Sequence, residues 1–112
     1  MTNVELVKEA YAHFSTGNVP AVLALFDPAI YWDECKSFPY IEGDGIYIGP
    51  DEVLHKIFMP IPQYYEGFQV TVTDIFGSGD KVAMQGYYEG TYKATGKRFK
   101  ANAAHIWTIK DG

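Results

Sequence analysis

Residues 81–110 read KVAMQGYYEGTYKATGKRFKANAAHIWTIK. Two long runs carrying Val, Tyr, Trp and Ile flank the turn residues Ala94-Thr95-Gly96-Lys97, which predicts an antiparallel hairpin of Lys81–Lys93 and Arg98–Lys110. Strand side chains alternate between faces, so the hairpin can be phased. Closure at Thr95-Gly96 sets Tyr92 against Phe99, Tyr88 against Ala103, Gly86 against His105 and Met84 against Trp107. One face then carries Val82, Met84, Tyr88, His105 and Trp107 and reads as core. The other carries Gln85, Glu89, Lys100 and Asn102, but also Tyr87 and Ile106. A sheet partly apolar on both faces predicts helices on one side and a second subunit on the other.

The chain ahead of this hairpin supplies those helices. Thr2 and Glu5 have capping-box spacing, and Val7, Ala10, Tyr11 and Phe14 follow at one-face helical spacing. Gly17 ends that helix, and Asn18 caps a second through Val22, Leu25 and Phe26, closed by Asp27-Pro28. Ile30–Cys35 reads as a strand, with Gly45–Ile48 as its hairpin partner. Pro50-Asp51-Glu52 opens a third helix, with proline and acids in its first turn, and Pro60 and Pro62 disrupt it. Gln69–Phe76 is a weakly alternating strand before the turn Gly77–Asp80. Helices and a small hairpin followed by an antiparallel meander predict an α+β fold, with helices on one face of a curved sheet.

A length of 112 residues fits one domain, 1–112. Hydrophobic residues make up 47% of the chain and aromatics 16%, enough for a packed core and for an aromatic pocket. The net charge of -5 excludes the basic patch that nucleic acid requires. Arg98 is the single arginine, so bidentate clamps on phosphate or carboxylate are hard to build. Cys35 stands alone, excluding an internal disulfide and a cysteine zinc site. Asp51 and His55 lie four apart on a helix but lack a third ligand, so no metal is expected. The first residues carry neither the charged nor the apolar region of a signal peptide, and no apolar run is long enough to span a membrane. A cytoplasmic protein without membrane attachment is the expectation.

Chemistry enters at Ile30-Tyr31-Trp32-Asp33-Glu34, a short strand ending in adjacent carboxylates. One of Asp33 and Glu34 should face inward if the strand is half buried. A carboxylate inside an aromatic surround has its charged form disfavoured and its pKa raised, which prepares a general base or a neutral acid. Parity alone leaves open which of the two it is.

Several motifs carry a resemblance. They are Ser15-Thr16-Gly17-Asn18, the run Leu25–Trp32, Gly49-Pro50 before the third helix, Thr95-Gly96-Lys97 in the hairpin, and His105–Gly112. With the order of elements, these resemble the nuclear-transport-factor-two-like superfamily, and more closely its SnoaL-like and ketosteroid-isomerase-related branch. The resemblance implies a cone-shaped, cystatin-like α+β barrel: a curved antiparallel sheet wrapped around three N-terminal helices, enclosing a pocket, in a homodimer packed through the sheet face. Such domains usually add one more strand beside Arg98–Lys110, so the final strand is expected to be missing from the chain.

The resemblance also ranks the site residues. It places the family's base near Asp33, raising it above Glu34. The oxyanion tyrosine falls at Ala10, one place before Tyr11, and the oxyanion acid at Ala104, one place before His105. Steroid isomerisation by that constellation is therefore not expected. The SnoaL-like cyclases imply a simpler requirement, a pocket acid that takes a proton alpha to a carbonyl. The expectation is a cofactor-free isomerase, cyclase or lyase acting on an apolar small molecule. Asp33 would be the base, with Glu34 next to it, and His105, Tyr11 or Tyr88 would stabilise the enolate. Trp32, Phe38, Tyr40, Phe58, Tyr64, Phe68, Tyr88 and Trp107 would form the ligand-binding wall. The rival expectations are a non-catalytic binder of an apolar ligand and a dimerisation module without a cavity.

Overall fold

The computed structural model describes residues 1–112 and has the expected α+β architecture. Helix α1 spans Asn3–Ser15 and opens on the complete Thr2/Glu5 capping box. Helix α2 spans Val19–Ala24, and the Asn18 side chain accepts the Ala21 amide at its start. Strands β1 (Tyr31–Asp33) and β2 (Ile46–Ile48) pair antiparallel in a small two-stranded sheet. Helix α3 (Pro50–Val53) continues into a π-helical turn, Leu54–Phe58. There the Met59 amide reaches back five residues to the Leu54 carbonyl at 2.8 Å. A short helix α4 (Ile61–Tyr64) follows the interruption at Pro60.

Strands β3 (Tyr65–Ser78), β4 (Lys81–Tyr92) and β5 (Lys97–Thr108) form the main sheet, with β4 in the middle. Helix α1 packs across β3 and β4. Val82 and Met84 on β4 and Val7 on α1 are almost fully buried. A second core gathers Tyr47, Val53 and Ile57, with Phe26, Trp32 and Phe58 packed around it. Burying one such Val or Ile contributes about 1.5–3 kcal/mol. The two sheets remain separate, so the barrel is open between β5 and the β1–β2 hairpin.

The expected hairpin forms with a register two residues away from the expected one. Tyr92 faces Lys97, Tyr88 faces Ala101, Gly86 faces Ala103 and Met84 faces His105. The turn is a wider loop over residues 93–96, closed by the Gly96 amide on the Tyr92 carbonyl at 2.8 Å. A slip of two keeps every side chain on its face, so the inward set is the expected one and His105 points inward. Gly86 lies where the backbones of β3 and β4 approach closely. A Cβ there would lie 1.9 Å from the Thr71 carbonyl oxygen, so Gly86 admits the backbone of β3.

Strand β3 is longer than expected and changes phase twice. Tyr65 faces Tyr92; after a bulge at Gly67 and Phe68, Val70 and Val72 face Tyr88 and Gly86; after a second at Thr73, Ile75 faces Met84. The inward parity switches from odd to even and back. Gly67 has φ +63, the left-handed conformation that lets a glycine carry such a bulge. The bulges bend the edge of the sheet over the interior.

Candidate functional site

Four polar side chains meet inside the sheet. His105 on β5 and Tyr88 on β4 share the inner face, separated by the small pair Gly86–Ala103. Without bulk at that pair, the Tyr88 phenol leans over it and its hydroxyl hydrogen-bonds His105 Nε2. From the opposite side, Tyr11 on α1 brings its hydroxyl to 2.5 Å from His105 Nδ1. Its ring stacks on the imidazole with centroids 5.8 Å apart. Trp107, two residues along β5, donates its indole N–H to the Tyr11 hydroxyl at 3.0 Å. The result is a continuous chain, Trp107–Tyr11–His105–Tyr88.

Burial sets the charge state of this chain. It depresses the His105 pKa to about 4 and pushes the Tyr11 and Tyr88 phenols up. At neutral pH the chain therefore carries no net charge. Neutral His105 also has a stability consequence. Its folded pKa lies below the unfolded value near 6.5, so the unfolded chain binds the extra proton between about pH 6.5 and 4. This contribution to stability is full above pH 6.5 and is lost as pH falls towards 4. The His105 ring resonances should accordingly stay at their neutral positions down to about pH 5; a midpoint near 6.5 would contradict the buried environment.

The acid pair resolves by strand parity. In β1, Trp32 pairs with the buried Tyr47 and faces inward, so Tyr31 and Asp33 face out, and Asp33 is exposed. This reverses the expected ranking, because the inward carboxylate is Glu34. Its amide continues the hairpin by donating to the Gly45 carbonyl at 3.0 Å. Its carboxylate accepts the Trp32 indole N–H and the Cys35 amide, both at 3.0 Å. Burial raises its pKa, the two hydrogen bonds oppose that rise, and the charge of Asp33 adds to it. Burial raises the phenols of Tyr40 and Tyr88, and the Glu34 charge adds to that rise.

The expected wall residues form two groups of touching rings, joined through Tyr11 and His105. Trp32, Phe58 and Trp107 meet around Phe26, with Trp32 and Trp107 edge-on at 5.5 Å. Phe38 stacks on Tyr40 at 5.5 Å and lies 5.9 Å from Tyr88; Tyr40 touches Tyr64, and Phe68 touches Tyr88. Phe26, Tyr65 and Phe99 were missed, although Phe99 shares the inward parity of Tyr88. The two main clefts lie beside this interior. A groove of about 470 Å³ runs between α1 and β3 past Tyr11, and one of about 270 Å³ opens by Tyr40 and Tyr64. Neither is lined by Glu34 or His105, so the expected closed cavity around the acid is not among them.

The remaining polar motifs have structural roles. His55 Nδ1 bonds the Asp51 backbone carbonyl at 2.7 Å, and exposed Cys35 contacts the Ser37 hydroxyl at 3.0 Å. No helix is long and apolar enough to cross a membrane.

A family model described as a SnoaL-like domain matches residues 7–112. An NTF2-like protein from Burkholderia thailandensis is 31% identical and superposes with a TM-score of 0.92 over 100% of this chain and 84% of its own. A protein named as a SnoaL-like polyketide cyclase, from Mesorhizobium loti, is 21% identical, with a TM-score of 0.78 over 100% of this chain and 92% of its own. TerC, co-crystallised with polyporic acid, is 21% identical, with a TM-score of 0.84 over 98% of this chain and 83% of its own. No curated protein matches the chain.

Proposed function

The chain belongs to the SnoaL-like domain family, and from that premise we propose that it is a cofactor-free enzyme acting alpha to a carbonyl of a neutral, apolar small molecule. The observation that carries this reading is Glu34, the inward carboxylate of the pair, held by the Trp32 indole in an aromatic interior that also contains the neutral hydrogen-bond chain. Glu34 removes the alpha proton, and the C–H electron pair moves into the carbon–carbon bond, leaving charge on the carbonyl oxygen. The Tyr88 hydroxyl donates to that oxygen. The proton then returns at another carbon, giving an isomer, or the enolate carbon attacks a second carbonyl to close a ring, and the alkoxide so formed takes the proton back from Glu34. Relatives named as a polyketide cyclase and as ketosteroid isomerase-like in fold support this class of chemistry.

Charge narrows the substrate. All nine Lys and Arg residues are exposed, so no cation lies inside to pair with a carboxylate or phosphate, and Glu34 would repel one. A burial-raised base also fixes the sign of the pH dependence. Activity requires ionised Glu34, so kcat/KM should rise with pH through a midpoint above the ordinary glutamate value of 4.5. The direct test is proton exchange in deuterium oxide with a panel of neutral 1,3-diketones and aryl ketones. Deuterium should enter the alpha carbon at a rate that depends on Glu34. Exchange with none of the panel, together with tight binding of one of them, would favour a non-catalytic binder instead.

The outer face of the sheet supports a homodimer. Phe76, Ala83 and Ile106 lie in one row across β3, β4 and β5, and Phe76 and Ile106 are 57% and 70% exposed. A partner sheet would cover this row. Ile106→Asp should turn a dimer into a monomer in sedimentation while leaving the circular dichroism unchanged; a wild-type monomer would overturn the pairing.

A further inference from the structure

The chain Trp107–Tyr11–His105–Tyr88 has a direction, and hydrogen-bond bookkeeping supplies it. Neutral imidazole has one N–H donor and one acceptor nitrogen, and His105 meets a phenol at each. If Nδ1 carried the proton, the Tyr11 oxygen would accept from both Trp107 and His105, and the Tyr11 proton would have no acceptor among its partners. Tyr88 would then spend its own proton on Nε2. With the proton on Nε2, Tyr11 accepts from Trp107 and donates to Nδ1, and His105 donates to the Tyr88 oxygen. Each phenol then accepts one hydrogen bond, and the Tyr88 proton is not used within the chain.

We infer that Trp107, acting through Tyr11, fixes His105 as the Nε2–H tautomer and so leaves the Tyr88 hydroxyl proton free for a ligand oxygen. Trp107, Tyr11 and His105 are positioning residues, and Tyr88 is the group that touches the ligand. Aligned donors polarise one another, so the chain strengthens its terminal donor. The catalytic use of Tyr88 rests on the carbonyl reading above, whereas the tautomer does not.

Nitrogen-15 NMR of the histidine-labelled protein, without ligand at neutral pH, tests this. Two-bond couplings identify which ring nitrogen carries the proton. The expected result is protonated Nε2 and bare Nδ1 for His105; a predominant Nδ1–H form in the wild type overturns the inference. In Trp107→Phe, Tyr11 can accept from Nδ1–H as readily as donate to it, so both tautomers should become populated; an unchanged spectrum removes Trp107 from the assignment. Tyr88→Phe should keep the Nε2–H form, because the tautomer is fixed from the Nδ1 side. A switch to Nδ1–H in that variant would place control at Tyr88 and reject the direction proposed.

Discussion

Glu34→Gln should lower kcat/KM for alpha-proton exchange by about 10²–10⁴-fold, the usual contribution of a positioned general base. Asp33→Asn should leave it near the wild-type value. In Glu34→Gln the side-chain amide oxygen can accept only one of the Trp32 indole N–H and the Cys35 amide, which the carboxylate binds through different oxygens, so shape is kept while one hydrogen bond and the proton acceptor are lost. Asp33 faces solvent on the other side of β1 and touches none of the polar chain. Burying the ionised Glu34 opposes folding at neutral pH, as its raised pKa implies, and the neutral amide removes that cost. The lost hydrogen bond offsets that gain, so Glu34→Gln should melt close to wild type while losing activity. If Asp33→Asn removes activity and Glu34→Gln spares it, the assignment of the base is wrong.

Gly86→Ala should destabilise the fold by about 3 kcal/mol or more, at or beyond the usual upper range for overpacking. The ideal methyl would sit 1.9 Å from the Thr71 carbonyl oxygen, 3.0 Å from its carbon and 3.2 Å from the Val72 Cα. All three are backbone atoms, so no rotamer change relieves the clash, and β3 must lift away from β4 near the bulge at Thr73. Conformational preference works the other way, since alanine is easier to order than glycine. A loss of stability would thus isolate the steric effect. Gly90→Ala is the control: its nearest neighbours lie at 3.3 Å, one of them the Phe99 ring edge, and its cost should be clearly smaller. Urea midpoints for the two variants read the difference; equal midpoints would contradict the close approach at Gly86.

The sequence made some of this legible and hid the rest for identifiable reasons. The inner face of β4 and β5 was readable because parity survives a register error of two, and the true loop over 93–96 differs from the expected one by that amount. The weak alternation of Gln69–Phe76 was a real signal that was not decoded. The bulge at Thr73 moves the inward positions from Val70 and Val72 to Ile75, and no single period fits both halves. The Tyr65 end of β3 was missed for the same reason at Gly67. In the acid pair, parity permitted either residue and family alignment favoured Asp33. Trp32 decides otherwise, since its large apolar ring takes the inward place opposite Tyr47, and Glu34 shares its side. The hydrogen-bond chain was not legible at all. It joins Tyr11 to His105 across 94 residues, and only the packing of α1 on the sheet brings them together.

The π-helical turn at Leu54–Phe58 bears on ancestry. A π turn holds one residue more than an α turn, so inserting a residue into an older helix is a direct route to one. In this chain the turn runs from just after the buried Val53 to Phe58, whose ring packs edge-on against Trp32. A descendant or cousin that lost one residue here would regain a regular helix but rotate Phe58 away from Trp32. Column-by-column comparison of such sequences would therefore slip by one position in this segment even where the backbones superpose, and Phe58 would be matched to a residue that does not do its job.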